Sequence, residues 1–144
     1  MTLRASKLSL WLFGLVVLVK AAQSLVSIFN PYAVAGAADG VPIDTYGAAG
    51  ARAVVALFSV LGLSNFIISL IGVVVLIRYR SMVSFMFAFF LLQHVGGRLI
   101  AHFLPVARTG TSPGPYVNLA LIAVTIVGLT LSLWRRNDRL AEES

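Results

Sequence analysis

The sequence predicts an all-α, polytopic membrane protein, an antiparallel four-helix transmembrane bundle. Three observations carry the prediction. Of the 144 residues, 59% are hydrophobic and only 11% are charged, and the mean hydropathy of +0.95 lies far from soluble globular values. The apolar residues fall into long blocks, each near the roughly 20 residues that cross a bilayer. The polar punctuation, rich in Gly, Pro and Arg, falls between the blocks. One domain covering residues 1–144 uses up the chain, with helices at about 8–29, 51–77, 81–104 and 116–134.

The first helix follows Arg4 and Lys7, runs through an apolar stretch interrupted by Lys20, and stops at Asn30-Pro31, where proline disfavours helix in the preceding residue. A cleaved signal peptide is the competing reading, since a basic start and the small residues Ala22 and Ser24 fit one loosely. The apolar stretch resumes past Lys20 and reaches spanning length, which favours a retained helix. Residues 31–50, rich in Gly, Ala and Pro and holding Asp39 and Asp44, read as a loop able to carry a short re-entrant or interfacial turn. The second helix has no charge between residues 53 and 77. Arg78-Tyr79-Arg80-Ser81 then forms a tight link that makes the second and third helices an antiparallel hairpin. Pro105 ends the third helix, and Arg135 and Arg136 close the fourth ahead of a short polar tail.

Charge placement gives orientation. Arg4, Lys7, Arg78, Arg80, Arg135, Arg136 and Arg139 share one side of a four-span topology, against Arg52 and Arg108 on the other. The excess of Lys and Arg marks the cytoplasmic side, so both termini are expected there, in the inner (plasma) membrane. The formal charge of +6 is thereby a topology signal, and a nucleic-acid partner is not expected.

Polar residues inside the apolar blocks mark the candidate site, because a charge at mid-bilayer costs about 2.5–3.5 kcal/mol on insertion scales. Counted from the outer helix ends at 1.5 Å per residue, Lys20 and His94 lie about 15 Å deep, and Ser24 and Arg98 about 9 Å. By the same count Thr125 and Ser59 lie at about 13–14 Å, so every helix supplies a polar group to the outer half. His94, Arg98 and His102 share one face of the third helix, and Lys20, Gln23, Ser24 and Ser27 one face of the first. The candidate ligand-binding set is Lys20, Gln23, Ser24, His94, Arg98 and Thr125. Gln93 points about 100° from His94, toward a different contact. Gly97 and Ala101 on the third helix, and Gly62, Asn65, Ser69 and Gly72 on the second, read as packing rows, with Asn65 as polar glue.

No Asp or Glu lies inside a helix. The loop acids Asp39 and Asp44 are therefore candidate partners of Arg98, alongside carbonyls and water, or a bound anion, lipid headgroup or polarisable carbonyl. Metal ligation is not expected: His94 and His102 are about 12 Å apart by rise on one helix, and there is no cysteine. A bis-histidine haem is disfavoured on the same ground, and no catalytic dyad, triad or phosphate-binding glycine motif is present. An enzyme acting as the isolated chain is the less favoured reading, and the sequence leaves the question open.

A basic start, a first helix ending at Asn30-Pro31, a Gly/Ala-rich loop with Asp44, Arg52 leading into the second helix, a basic hairpin and Gly97-Arg98 in the third helix together form a distinctive layout. It resembles the DoxX-like superfamily of small four-helix bacterial membrane proteins, in particular its uncharacterised members. The resemblance implies a bundle that meets a quinone or a partner subunit. Some members resemble the small membrane subunit of a thiosulfate:quinone oxidoreductase, and others are associated with membrane redox or stress complexes. No residue here matches a defined catalytic residue of that enzyme, and the lack of cysteine weighs against direct sulfur chemistry.

The expectation is thus an outward-facing polar intramembrane pocket in a lipid- or quinone-binding accessory subunit. No motif fixes a cofactor; a bound quinone or lipid is the class that fits. Its partners would be the bilayer and a membrane subunit or further copies of itself. The alternatives are a structural or assembly subunit without ligand, and a small oligomeric transporter, since four helices rarely enclose an alternating-access path alone.

Overall fold

The computed structural model describes residues 2–143; the side chains of 2–6, 135 and 136 lie outside the description, and with them the Arg4, Arg135 and Arg136 side chains counted above for orientation. Four long helices dominate: α1 (Thr2–Phe29), α2 (Ala48–Arg78), α3 (Val83–Phe103) and α4 (Gly114–Glu142). Each is long and apolar enough to cross a membrane, and there is no strand among the described residues.

Helix boundaries follow local chemistry more than apolar blocks. Asn30 ends α1 and caps the next turn, its side-chain oxygen accepting from the Ala33 amide at 3.4 Å. α2 starts at Ala48, ahead of the expected 51, because the small residues before Arg52 offer no stop. α3 starts two residues late because Arg80–Met82 forms a 3₁₀ turn. α4 corrects the reading of the tail: the helix continues past Trp134 to Glu142, through a polar sequence of good helix formers with no Gly or Pro to end it.

α1 is the central helix, packed chiefly against α2 and α4, while α3 packs chiefly against α4. α2 and α3, though joined by the shortest link, pack little on one another. The bundle is therefore closed on three sides and open between α2 and α3.

Near the chain termini the core is tight. Phe13, Val16, Val17, Val75, Val83, Phe87 and Phe90 form one buried cluster. The Phe13 ring meets Phe87 edge-on at 5.2 Å and stacks on Phe90 at 5.9 Å. Missing side chains allow the close approaches: a Cβ on Gly72 would lie 2.9 Å from Val17, and one on Gly62 2.8 Å from Ser27. Ser27 also donates across the contact to the Phe58 carbonyl at 2.8 Å. Ser84 and Ser132 pair between α3 and α4.

The loops at the opposite end are clasped together. Residues 34–38 form a π-helical turn and 43–45 a 3₁₀ turn. Gly40, at φ +70°, turns its carbonyl to accept from the Thr109 amide at 2.8 Å. Gly114 starts α4 directly beneath this loop, where a Cβ would collide with the Asp39 carboxylate and approach Ala38 O to 2.8 Å.

Candidate functional site

Between the loop clasp and the aromatic core lies a cavity of ≈ 1060 Å³, lined by all four helices and both loops. Beneath it, past Lys20, lies the buried aromatic cluster, whose members Phe13, Phe87 and Phe90 are at most 1% exposed. The cavity is a cup set in the loop-side half of the bundle.

Five of the six candidate ligand residues line it: Lys20, Gln23, Ser24, His94 and Arg98. Thr125 does not. Its side chain is fully buried one level below, and its hydroxyl donates to the Leu121 carbonyl at 2.6 Å. Asn118 takes the expected place on α4. Depth counted from helix ends misplaces α4 because its first turn is tucked under the 31–47 loop: Pro113, Gly114 and Pro115 themselves line the cup.

Lys20 is 5% exposed and sits at the floor. Its ammonium donates to Gln93 Oε1 at 3.0 Å and lies 5.2 Å from the centre of the Phe90 ring. Gln93 Nε2 donates in turn to Asn65 Oδ1 at 2.6 Å. One glutamine thus ties α1, α3 and α2 together and spans the open edge of the bundle. Among the described residues one of the three ammonium N–H groups is engaged, by Gln93, while the Ser24 hydroxyl donates to the Lys20 carbonyl at 2.6 Å.

His94 is fixed from the other side. Its Nδ1 shares a 2.7 Å hydrogen bond with Asn118 Oδ1, which as an acceptor places the proton on Nδ1. Nε2 is buried and has no hydrogen-bond partner among the described residues. In the neutral ring this atom is a bare acceptor, and in the imidazolium it is a donor. A buried polar atom without a partner costs about 1–3 kcal/mol.

Two expectations change at the rim. Neither loop acid forms an ion pair with Arg98 among the described residues: Asp44 accepts from the Tyr32 hydroxyl, which holds that phenol above its usual range, and Asp39 sits against Gly114. Burial pushes the Asp39 carboxyl up from its usual value, opposed by the charge of Arg108. Gly97 and Ala101 are not a packing row, because both are exposed, both line the cup, and nothing lies within 4 Å of a Cβ placed on Gly97. Gln93 serves a contact different from that of His94, as its angle suggests: it bonds Lys20 and Asn65, whereas His94 bonds Asn118, and this makes it the central link of the polar chain.

Gln93, Asn65 and Asn118 are thus missing from the sequence-derived site. Their signal was an amide in each apolar helix, readable only once their spatial neighbours are known. Among the lining residues, Lys20, Arg98 and Arg108 carry positive charge and Asp39 alone is acidic. The arrangement can hold an acceptor-rich or anionic group within an otherwise apolar wall.

The fold and site define a multi-pass membrane protein of the four-helix-bundle class. No family model, no curated protein and no solved structure matches the chain.

Proposed function

We propose that the chain is a small membrane accessory subunit whose cup binds a lipophilic molecule through a carbonyl or anionic group, a lipid or a quinone. The observation that carries this is the pair of cations in the cup. Lys20 keeps N–H groups beyond the one given to Gln93, and it lines, together with Arg98, a cavity large enough for a ligand. The resemblance to DoxX-like proteins supports the same reading, with the termini in the cytoplasm and the cup opening away from it in the plasma membrane. A membrane subunit or a second copy of the chain is the partner this role requires.

A transporter is less well supported, because the aromatic core beneath the cup, Phe13, Phe87 and Phe90, is buried and tightly packed, and leaves the cup one-sided. A ligand-free scaffold is also less well supported: it gives no use to a large cavity lined by Lys20, Arg98 and Arg108 with Asp39 as the one acid.

Mass spectrometry of the gently solubilised protein is expected to find one lipophilic molecule per chain, lost on Lys20→Met. Wild-type protein free of any such molecule, and unable to take up added lipid or quinone, would remove the proposal.

A further inference from the structure

Two features of the cup go beyond the general reading and narrow the ligand. The first is charge. Arg98 and Arg108 both line the mouth, both are exposed, and Arg98 has no ion-pair partner among the described residues. A neutral carbonyl ligand needs one donor. Two guanidinium groups at one mouth, each a planar fork of N–H donors, instead match the several oxygens of a phosphate. Lys20 also lines the cup, about one helical turn deeper than Arg98, or about 6 Å, the level where a lipid's ester carbonyls follow its phosphate.

The second feature is the open edge. Leu61 of α2 and Ile100 and Leu104 of α3 line the cup and are 57%, 64% and 70% exposed. α3 stands off from α2 here, with nothing within 4 Å of a Cβ placed on Gly97 and, among the described residues, a single polar bridge, Gln93 to Asn65, crossing the gap. The cup therefore opens sideways, through apolar walls, into the level of the acyl chains. A free phosphate would have no use for such an opening.

Resting on the reading of the cup as a lipophilic binding site, we propose that its occupant is an anionic glycerophospholipid. The phosphate sits between Arg98 and Arg108, the ester region faces Lys20, and an acyl chain leaves between α2 and α3.

The test is native mass spectrometry of the full chain in nonionic detergent. It would be titrated separately with phosphatidylglycerol, phosphatidylcholine, glycerol phosphate and an isoprenoid benzoquinone. Phosphatidylglycerol is expected to be retained about tenfold better than phosphatidylcholine, with the preference lost in R98Q/R108Q. Both arginines are exposed, so the thermal midpoint of that variant should match wild type and separate lost binding from lost folding. Equal retention of the two lipids, or an unchanged preference in the variant, overturns the proposal. Glycerol phosphate competing as well as the intact lipid overturns it in favour of a free-phosphate site. Retention of the quinone without phosphatidylglycerol overturns this inference and leaves the broader function standing, whereas retention of nothing removes both.

Discussion

Truncating Phe87 to alanine is expected to destabilise the protein by about 3–5 kcal/mol, the range for an aromatic side chain removed from a close-packed core. Phe87 is fully buried, meets Phe13 edge-on, and lies over Gly128 of α4 so closely that a Cβ at 128 would collide with its ring. Inside a bilayer helices gain little from the hydrophobic effect, so this packing is the main force joining α1, α3 and α4. The converse change, Gly128→Ala, overpacks the same contact and should cost about 1–3 kcal/mol. The two sites share one space. Phe87→Leu combined with Gly128→Ala should therefore be less destabilising than the sum of the single changes. Reversible unfolding in mixed micelles measures all four proteins; strict additivity would show that the ring and the glycine do not compete for that space.

The second large effect is expected at Gln93. Replacement by leucine removes the acceptor of the buried Lys20 ammonium and the donor to Asn65 in one step. Hydrogen bonds to charged groups contribute about 1.5–3 kcal/mol, and an unpaired charge left in an apolar setting sets the upper end of that range. Combining Gln93→Leu with Lys20→Met removes the orphaned charge as well, and should recover part of the loss. The same unfolding assay reads this. A double variant less stable than Gln93→Leu alone would mean that Lys20 is satisfied by groups other than Gln93.

These two sites also mark what was legible in the sequence. The apolar blocks, the basic hairpin and the stops at Asn30-Pro31 and Pro105 specify the number of helices and their approximate ends, because bilayer thickness imposes length and backbone pairing imposes helix. Lys20, His94 and Arg98 could be placed on inward faces by the cost of exposing them to lipid. Gln93 and Asn118 could not be assigned, because no rule local to one helix says which neighbour stands opposite. Thr125 and Asn118 exchanged roles for a similar reason. The start of α4 is sunk by the loop clasp at Gly40, Thr109 and Gly114, a contact between segments about 70 residues apart in sequence. The small residues Gly97 and Ala101 mislead in the opposite sense: small side chains permit close packing, but here they leave the wall of the cup open.

The one-sided cup can be probed directly, because the chain contains no cysteine and single-cysteine variants need no prior substitution. Gly97→Cys and Ala101→Cys place a thiol in the cup wall, while Val17→Cys and Phe90→Cys place one in or beneath its floor. A membrane-impermeant maleimide applied from the side of the 31–47 loop should label positions 97 and 101 and spare 17 and 90. Applied from the side of the termini, it should label none of them. Labelling of Gly97→Cys from the terminal side, or equal labelling at all four positions, would contradict a cup closed by the aromatic core.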